Sequence, residues 1–295
     1  MRLNWVLIAT AAAGVVLAVA TVPFTVWAEP VTAQAPSVPR TPSTLVSPAP
    51  GTGARACPGD DGGEKRIQAL YVRGDQQPAL ASKQRTAFKR DLKLVDAAFV
   101  RGAKQNGGGV RHPRYLLDGS CRATVTEVVI PRNALSTVDT ITAAIKQLGY
   151  NRDDRKYIVW YQMPGCGVGF GVGGSDRPDW FNLYNFGPHY AAIGTDCWGW
   201  APTLHELLHT LGAVQASAPH GTKNGHCWDD EDVMCYDDQS LPAGGLRVIC
   251  TKRKGDDIVG NQIDCNGDDY FNTAPAPGSY LATHWNVANN DFLMR

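Results

Sequence analysis

The sequence predicts a mixed α/β fold, in which a twisted sheet with crossover helices is followed by a loop-rich, disulfide-tied segment. Apolar and β-branched runs alternate with helical periodicity as far as Gly212. Beyond that residue Gly, Asp, Asn and Pro dominate, and half of the eight cysteines occur there. The first part therefore supplies the sheet and helices, and the second part supplies irregular structure.

The first half contains two predicted strands and two predicted helices. We expect a strand over 67–72, a helix over 83–104 with Ser82 as its N-cap, a strand over 124–130, and a second helix from Ser136 to Gly149. Each helix presents an apolar face, formed by Phe88, Leu92, Val95 and Phe99 in the first and by Ile141, Ile145 and Leu148 in the second.

Three further strands and one helix follow. Strands are expected over 156–162 and 190–195, and the glycine-alternating segment 165–174 predicts an edge strand whose backbone can be approached closely. A helix is expected over 203–211, with Pro202 at its first position and Gly212 at its end. After Gly212 only 279–288 has a helical pattern.

The N-terminal segment predicts export. A short basic start, the apolar stretch from Trp5 to Ala20 and the small-residue exit at Val26-Trp27-Ala28 are typical of a signal peptide over 1–28. An uncleaved membrane anchor is the alternative. Residues 29–56 are rich in Pro, Ala, Thr and Ser and predict a disordered spacer. The remaining domain is expected over 57–295, in a secreted or N-terminally anchored protein.

Charge and cysteine content narrow the function further. The chain has 28 basic and 28 acidic residues, so no clustered positive field indicates a nucleic-acid or anionic-membrane partner. Eight cysteines without a CxxC pair in an exported chain indicate disulfides. Proximity along the chain favours the pairs Cys227–Cys235 and Cys250–Cys265, which leaves Cys57–Cys121 and Cys166–Cys197.

The string His205-Glu206-Leu207-Leu208-His209 contains the candidate metal-binding and catalytic residues. Residues four apart on a helix share one face, so both imidazoles can bind one metal ion. Zinc lowers the pKa of a coordinated water towards neutrality, and Glu206 is placed to accept its proton as a general base. The motif therefore predicts a zinc-dependent hydrolase.

The longer string HELLHTLGAVQ, with Gly212 seven residues after His205, resembles the metzincin clan of zinc peptidases. The segment Asp232-Val233-Met234-Cys235-Tyr236 is similar to the methionine turn of that clan. The resemblance implies that Met234 lies beneath the metal and that Tyr236 assists the oxyanion. It also implies an upper subdomain over 57–212 and a lower subdomain over 213–295.

The sequence departs from the metzincin pattern at the position of the third metal ligand. Gln215 stands where the clan has a ligand, and a neutral amide oxygen is a poor donor to zinc. His226 is favoured as the replacement because it adjoins Cys227, whose disulfide would hold the loop. His220 and then Asp229 are the alternatives.

A weaker pattern lies near the C-terminus. Asp264, Asn266, Asp268 and Asp269 around Gly267 resemble a calcium loop, with Asp256 and Asp257 upstream. There is no Glu at the twelfth position, so a solvated acidic turn is favoured over a structural Ca²⁺ site.

Together these observations predict a secreted, monomeric zinc endopeptidase whose polypeptide substrate lies along the edge strand 165–172. Membrane insertion is not expected if the signal segment is cleaved. Two alternatives stay open: a non-catalytic exported binding protein, motivated by Gln215, and a zinc amide hydrolase that acts on the cell envelope.

Overall fold

A computed structural model describes residues 57–170, 175–229, 231–247 and 262–295. The predicted signal segment, anchor alternative and spacer lie outside these ranges, as do Cys250, Asp256 and Asp257, so those assignments stay predictions. Within the described ranges, no helix combines the length and apolarity needed to cross a bilayer.

The protein has a mixed α/β fold built on a mostly parallel five-stranded sheet. The strands in chain order are β1 (Arg66–Gly74), β2 (His112–Pro113), β3 (Val125–Ile130), β4 (Arg155–Tyr161), β5 (Gly167–Phe170), β6 (His189–Ile193) and β7 (Leu293–Met294). The main sheet has the order β3-β1-β4-β6-β5, and β2 pairs with β7 in a separate ribbon. Only β5, at the edge, is antiparallel to its neighbour. The predicted edge strand is thereby confirmed over its described part.

The helices are α1 (Ser82–Gln105), α2 (Val138–Gln147), α3 (Trp200–Leu211) and α4 (Tyr280–Thr283). Helices α1 and α3 share one apolar core with the sheet, whereas α2 packs with a second core cluster that includes Tyr157 and Tyr190. Phe88 of α1 stacks on Trp160 of β4 with ring centroids 4.2 Å apart. The Trp160 indole N–H donates to Thr203 Oγ1 at 3.1 Å, which fixes α3 against the central strand.

The observed helices correct four details of the sequence prediction. Ser82 is the first residue of α1 and not its N-cap, and Thr137, not Ser136, caps α2 by accepting from Thr140 N at 3.2 Å. Leu148 is 45 % exposed and lies outside the predicted apolar face. Helix α3 begins at Trp200, so Pro202 occupies the first turn, where a missing N–H costs no intrahelical bond.

The predicted helix over 279–288 is wrong beyond its first turn. Helix α4 ends at Thr283. Trp285 N donates to Asp176 O at 2.7 Å, and the Trp285 indole donates to Leu211 O at 2.9 Å. Tertiary hydrogen bonds therefore replace the intrahelical bonds that the local pattern predicted.

Three of the four predicted disulfides are confirmed: Cys57–Cys121, Cys166–Cys197 and Cys227–Cys235. Cys265 is also disulfide-bonded. The second bridge joins the residue before β5 to the short segment that precedes α3. The third joins the two loops that follow α3, and both bridges therefore brace the surroundings of that helix.

Candidate metal centre

Helix α3 places His205 and His209 one turn apart with their rings converging. Their Nε2 atoms are 3.1 Å apart. The helix ends at Gly212, whose φ of 93° is a left-handed conformation that glycine adopts without strain. A side chain at Gly212 would also meet Trp285 Nε1 at 2.5 Å, so the sharp exit from the helix requires glycine.

His226 completes a three-histidine cluster. One ring nitrogen from each of His205, His209 and His226 lies within 4.8 Å of the other two. The ring centroid of His226 is 5.4 Å from that of His205 and 5.0 Å from that of His209. The chain therefore turns back after α3 and brings a loop histidine to the helix pair.

Hydrogen bonds fix which ring nitrogen carries the proton in His205 and His226. His205 Nδ1 is 2.7 Å from Val233 O, and a carbonyl can only accept, so this nitrogen carries the proton. His226 Nδ1 is 3.1 Å from Asp238 Oδ2, which likewise fixes the proton there. In these two neutral rings Nε2 is then unprotonated and can donate its lone pair to a metal.

This donor set fits zinc. Tetrahedral zinc with Zn–N bonds of about 2.0–2.1 Å places its nitrogen ligands about 3.3–3.4 Å apart. The observed separation between Nε2 of His205 and Nε2 of His209, 3.1 Å, is close to that value. Two lone pairs at this distance repel each other unless a cation or a proton lies between them.

Burial keeps the helix histidines in the neutral form that binds metals. It lowers the pKa of His205 to about 4 and that of His209 to about 3, and the other histidines add to the effect on His209. Burial also lowers the pKa of His226, although the Asp238 carboxylate acts in the opposite direction. Near neutral pH the cluster is therefore uncharged.

Glu206 lies between this cluster and the edge strand. Its side chain is buried, and burial raises its pKa to about 8, against a hydrogen bond from the Gly169 backbone. A dication bound by the histidines would lower that pKa and favour the carboxylate. Glu206 is thus a buried acid–base group beside the candidate metal position.

The alternating glycines of β5 are explained by the approach of this strand to α3. A Cβ atom at Gly167 would overlap the Glu206 carboxylate, and one at Gly169 would meet His209 Cβ at 2.5 Å and Glu206 O at 2.8 Å. Val168, between them, points outward and is 42 % exposed. The glycines face the helix, so the sheet edge lies directly against the candidate site.

A methyl group at position 169 should therefore separate the strand from the helix. We expect Gly169→Ala to lower the free energy of unfolding by about 1–3 kcal/mol, the usual cost of overpacking. Val168→Ala, on the open face, is the matched control and should cost less. Urea unfolding of both variants checks the difference, and equal stability of Gly169→Ala and the unmodified chain would contradict the packing argument.

Met234 and Tyr236 belong to a tight turn next to the histidine cluster. Met234 is fully buried, and its turn is closed by Cys235 N donating to Asp232 O at 3.2 Å. The Tyr236 ring is 45 % exposed, 4.2 Å from the His226 ring and 5.7 Å from the His205 ring. The tyrosine ring therefore borders the cluster and is partly open to solvent.

An open cleft of about 450 Å³ adjoins the cluster. Besides His205 and Glu206, its lining is mainly small or apolar: Cys166, Gly167, Ala201, Pro202, Val233 and Tyr236. The cleft thus connects the start of the edge strand, the metal candidates and the methionine turn.

The remaining ligand candidates have other partners. Gln215 is buried, and its Nε2 donates to Gly212 O at 2.6 Å, so it stabilises the chain reversal after α3. His220 Nδ1 lies 3.1 Å from Asp269 Oδ2, and His220 N donates to Asp269 Oδ1. Asp229 Oδ1 accepts from Glu231 N at 3.1 Å. The structure thus brings His226, and neither His220 nor Asp229, to the helix pair.

The acidic turn near the C-terminus is not solvated as predicted. Asp264 is 1 % exposed, and its two oxygens accept backbone N–H groups of Asp268, Asp269, Tyr270 and Phe271. These oxygens are therefore engaged in closing the turn and not free for calcium. His220, Asp268 and Asp269 form a second group with possible metal-ligand atoms within 4.8 Å of one another.

Two contacts at the site were missed by the sequence analysis. Val233 O and the Asp238 carboxylate hold His205 and His226 respectively. Nothing in the sequence distinguishes Asp238 from Asp237 beside it. The carbonyl of Val233 is a backbone group, which no residue pattern reveals.

Comparisons with known proteins give little further guidance. No protein-family model and no curated protein matches the chain. Solved structures of OgpA from Akkermansia muciniphila match in two crystal forms, at TM-score 0.34, with 10% and 9% identity, over 54% of this chain and 50% of theirs. A chaperone–substrate complex matches at TM-score 0.26 with 15% identity, over 63% of this chain and 33% of that one. The chain thus spans about half the length of OgpA, and at these TM-scores the similarity carries no argument about function.

Proposed function

We propose that this protein is an exported zinc endopeptidase with a metzincin-like catalytic domain. The observation that carries the proposal is the convergence of His205, His209 and His226 beside the buried Glu206. The left-handed Gly212 and the hydrogen bond between His205 and Val233 O in the turn that contains Met234 support the metzincin relationship. The disulfides support export, because such bonds persist in oxidising compartments.

Each side chain has a defined task in peptide hydrolysis. Zinc, when held by the three imidazoles, supplies Lewis acidity for attack on a carbonyl. Glu206 accepts a proton from the attacking water and then delivers it to the leaving amine. The Tyr236 hydroxyl donates a hydrogen bond to the oxygen that gains negative charge in the transition state.

The sheet edge provides the means to bind a polypeptide. Among the described residues, β5 pairs with no strand besides β6, and we propose that an extended peptide pairs with its other edge. Since Gly167 and Gly169 touch Glu206 and the helix, a peptide paired with this edge would pass close to the cluster. Backbone pairing would bind polypeptides of varied sequence, and the adjoining cleft would accept one small or apolar side chain.

The test is cleavage of an unstructured protein such as casein. We expect hydrolysis that stops when a chelator removes the metal and returns when zinc is added. Stoichiometric zinc without cleavage would favour the alternative of a non-catalytic binding protein. Hydrolysis of cell-wall fragments in preference to peptides would favour an amide hydrolase of the cell envelope.

The depressed pKa values of the histidines predict that zinc binding resists mild acid. A lowered pKa means that protons compete with zinc only at lower pH. Between about pH 7.0 and pH 5.5, zinc affinity should fall by less than about tenfold. Three histidines with an ordinary pKa of about 6.5 would lose about 600-fold, about eightfold for each ring. Chelator competition at the two pH values measures the change in zinc affinity, and a loss near 600-fold would contradict the burial argument.

A further inference from the structure

We propose that Asp238 is the positioning residue for the third metal ligand, and that it fixes the tautomer and direction of the His226 ring. The proposal rests on the zinc site proposed above. It concerns a residue outside the motifs that carry the metzincin resemblance.

His226 requires external restraint because of where it lies. His205 and His209 are held by a helix, whereas His226 belongs to an irregular loop. Its backbone is bonded within that loop, since Thr222 N donates to His226 O at 2.6 Å and His226 N donates to Thr222 Oγ1 at 3.2 Å. These bonds fix the peptide but not the rotation of the imidazole.

The Asp238 carboxylate supplies the missing restraint. Its Oδ2 lies 3.1 Å from His226 Nδ1 and accepts from the Thr222 hydroxyl at 2.5 Å. Its Oδ1 accepts from Ser240 N at 2.9 Å and from Ser240 Oγ at 2.6 Å. A carboxylate held by three donors besides the imidazole cannot rotate freely, so it sets the plane of the ring that it binds.

The buried negative charge of Asp238 lies on one side of the His226 ring, and the candidate metal position lies on the other. Its side chain is 5 % exposed, and His226 is its ion-pair partner among the described residues, with no Lys or Arg beside it there. Hydrogen bonds from Thr222 and Ser240 stabilise this buried charge. Zinc on Nε2 of His226 would add a positive charge on the far side of the imidazole, the arrangement of carboxylate–histidine pairs at other zinc sites.

The same loop also carries Tyr236. Asp238 follows Tyr236 by two residues, and Asn224 Nδ2 donates to Asp238 O at 3.2 Å. The segments 222–226 and 236–240 are thus joined by side-chain hydrogen bonds as well as by the Cys227–Cys235 disulfide. Asp238 therefore couples the position of His226 to that of the neighbouring Tyr236 ring.

The test compares Asp238→Asn with Asp237→Asn in the otherwise unchanged mature protein. The two substitutions are chemically identical and adjacent, but Asp237 is exposed and accepts only from Gln239 N among the described contacts. Zinc dissociation constants are measured by competition with a chromophoric chelator. We expect Asp238→Asn to weaken zinc binding about 10–100-fold, and Asp237→Asn to leave it unchanged.

A second measurement reports the coordination geometry of the metal, which zinc affinity alone does not show. The visible absorption of Co²⁺ in place of zinc should change in Asp238→Asn and stay unchanged in Asp237→Asn. Should Asp238→Asn fail to fold, Ser240→Ala removes one donor to the carboxylate without a contact to His226 and should weaken zinc binding by a smaller factor, about threefold to tenfold.

The outcomes separate this proposal from the proposed function. Tight zinc binding by the unmodified chain, with the same affinity and Co²⁺ spectrum in Asp238→Asn or, where that variant does not fold, in Ser240→Ala, would overturn the role of Asp238 alone. Absence of zinc binding by the unmodified chain would overturn the metal site itself.

Discussion

Replacing Glu206 with Gln should lower peptide hydrolysis about 10²–10⁴-fold, the usual contribution of a general acid–base group. Glutamine has nearly the same shape, so it should fit between α3 and the glycines of β5. It cannot take a proton from water or return one to the leaving amine. Zinc content should stay the same, because the three imidazoles are untouched.

The matched control is Glu64→Gln, the same change at an exposed position. It should retain full activity. Hydrolysis of casein and metal content are measured for both variants and the unmodified chain. If Glu206→Gln kept more than about a tenth of the activity, Glu206 would not be the general base and the assigned chemistry would be wrong.

Replacing His226 with Ala should have the second large effect, on the metal and therefore on activity. His226 supplies one of three nitrogen donors, and catalytic zinc sites ordinarily require all three. We expect zinc affinity to fall by more than about 100-fold, beyond the range that the loss of a supporting contact produces. Activity should vanish at low zinc concentration.

His220→Ala is the informative comparison, because His220 was the rival third ligand. Its ring is bonded to Asp269, away from the cluster, so the variant should keep zinc and activity. Retention of the disulfides and of near-ultraviolet circular dichroism shows that each variant is folded. The reverse pattern, with zinc lost only in His220→Ala, would assign the third ligand to His220.

Local signals in the sequence were strong enough to predict most of the sheet and the helix of the site. The spacing of His205 and His209 and the glycine at 212 are short-range features, and a helix converts them directly into geometry. Three disulfide pairs also followed from spacing and elimination. The glycine-alternating segment predicted an edge strand that another element can approach closely. The sequence did not show that this element is α3.

The loop contacts at the site could not be predicted from the sequence, because contacts between distant residues determine the shape of the loops. The sequence offered His226, His220 and Asp229 as third ligands, and only the folded chain shows which lies beside the helix. Asp238 lacked any signal, since its partners are distant in sequence or come from the backbone. The helix expected over 279–288 failed for the same reason: Trp285 is held by Asp176 and Leu211.

The position of zinc in a crystal of the metal-loaded protein tests the central claim most directly. An anomalous difference map at the zinc absorption edge should show one strong peak within about 2.0–2.1 Å of Nε2 of His205, His209 and His226. The described residues contain a second histidine-containing group, formed by His220, Asp268 and Asp269. A peak there with none at the three histidines would contradict the proposed metal centre and the peptidase assignment built on it.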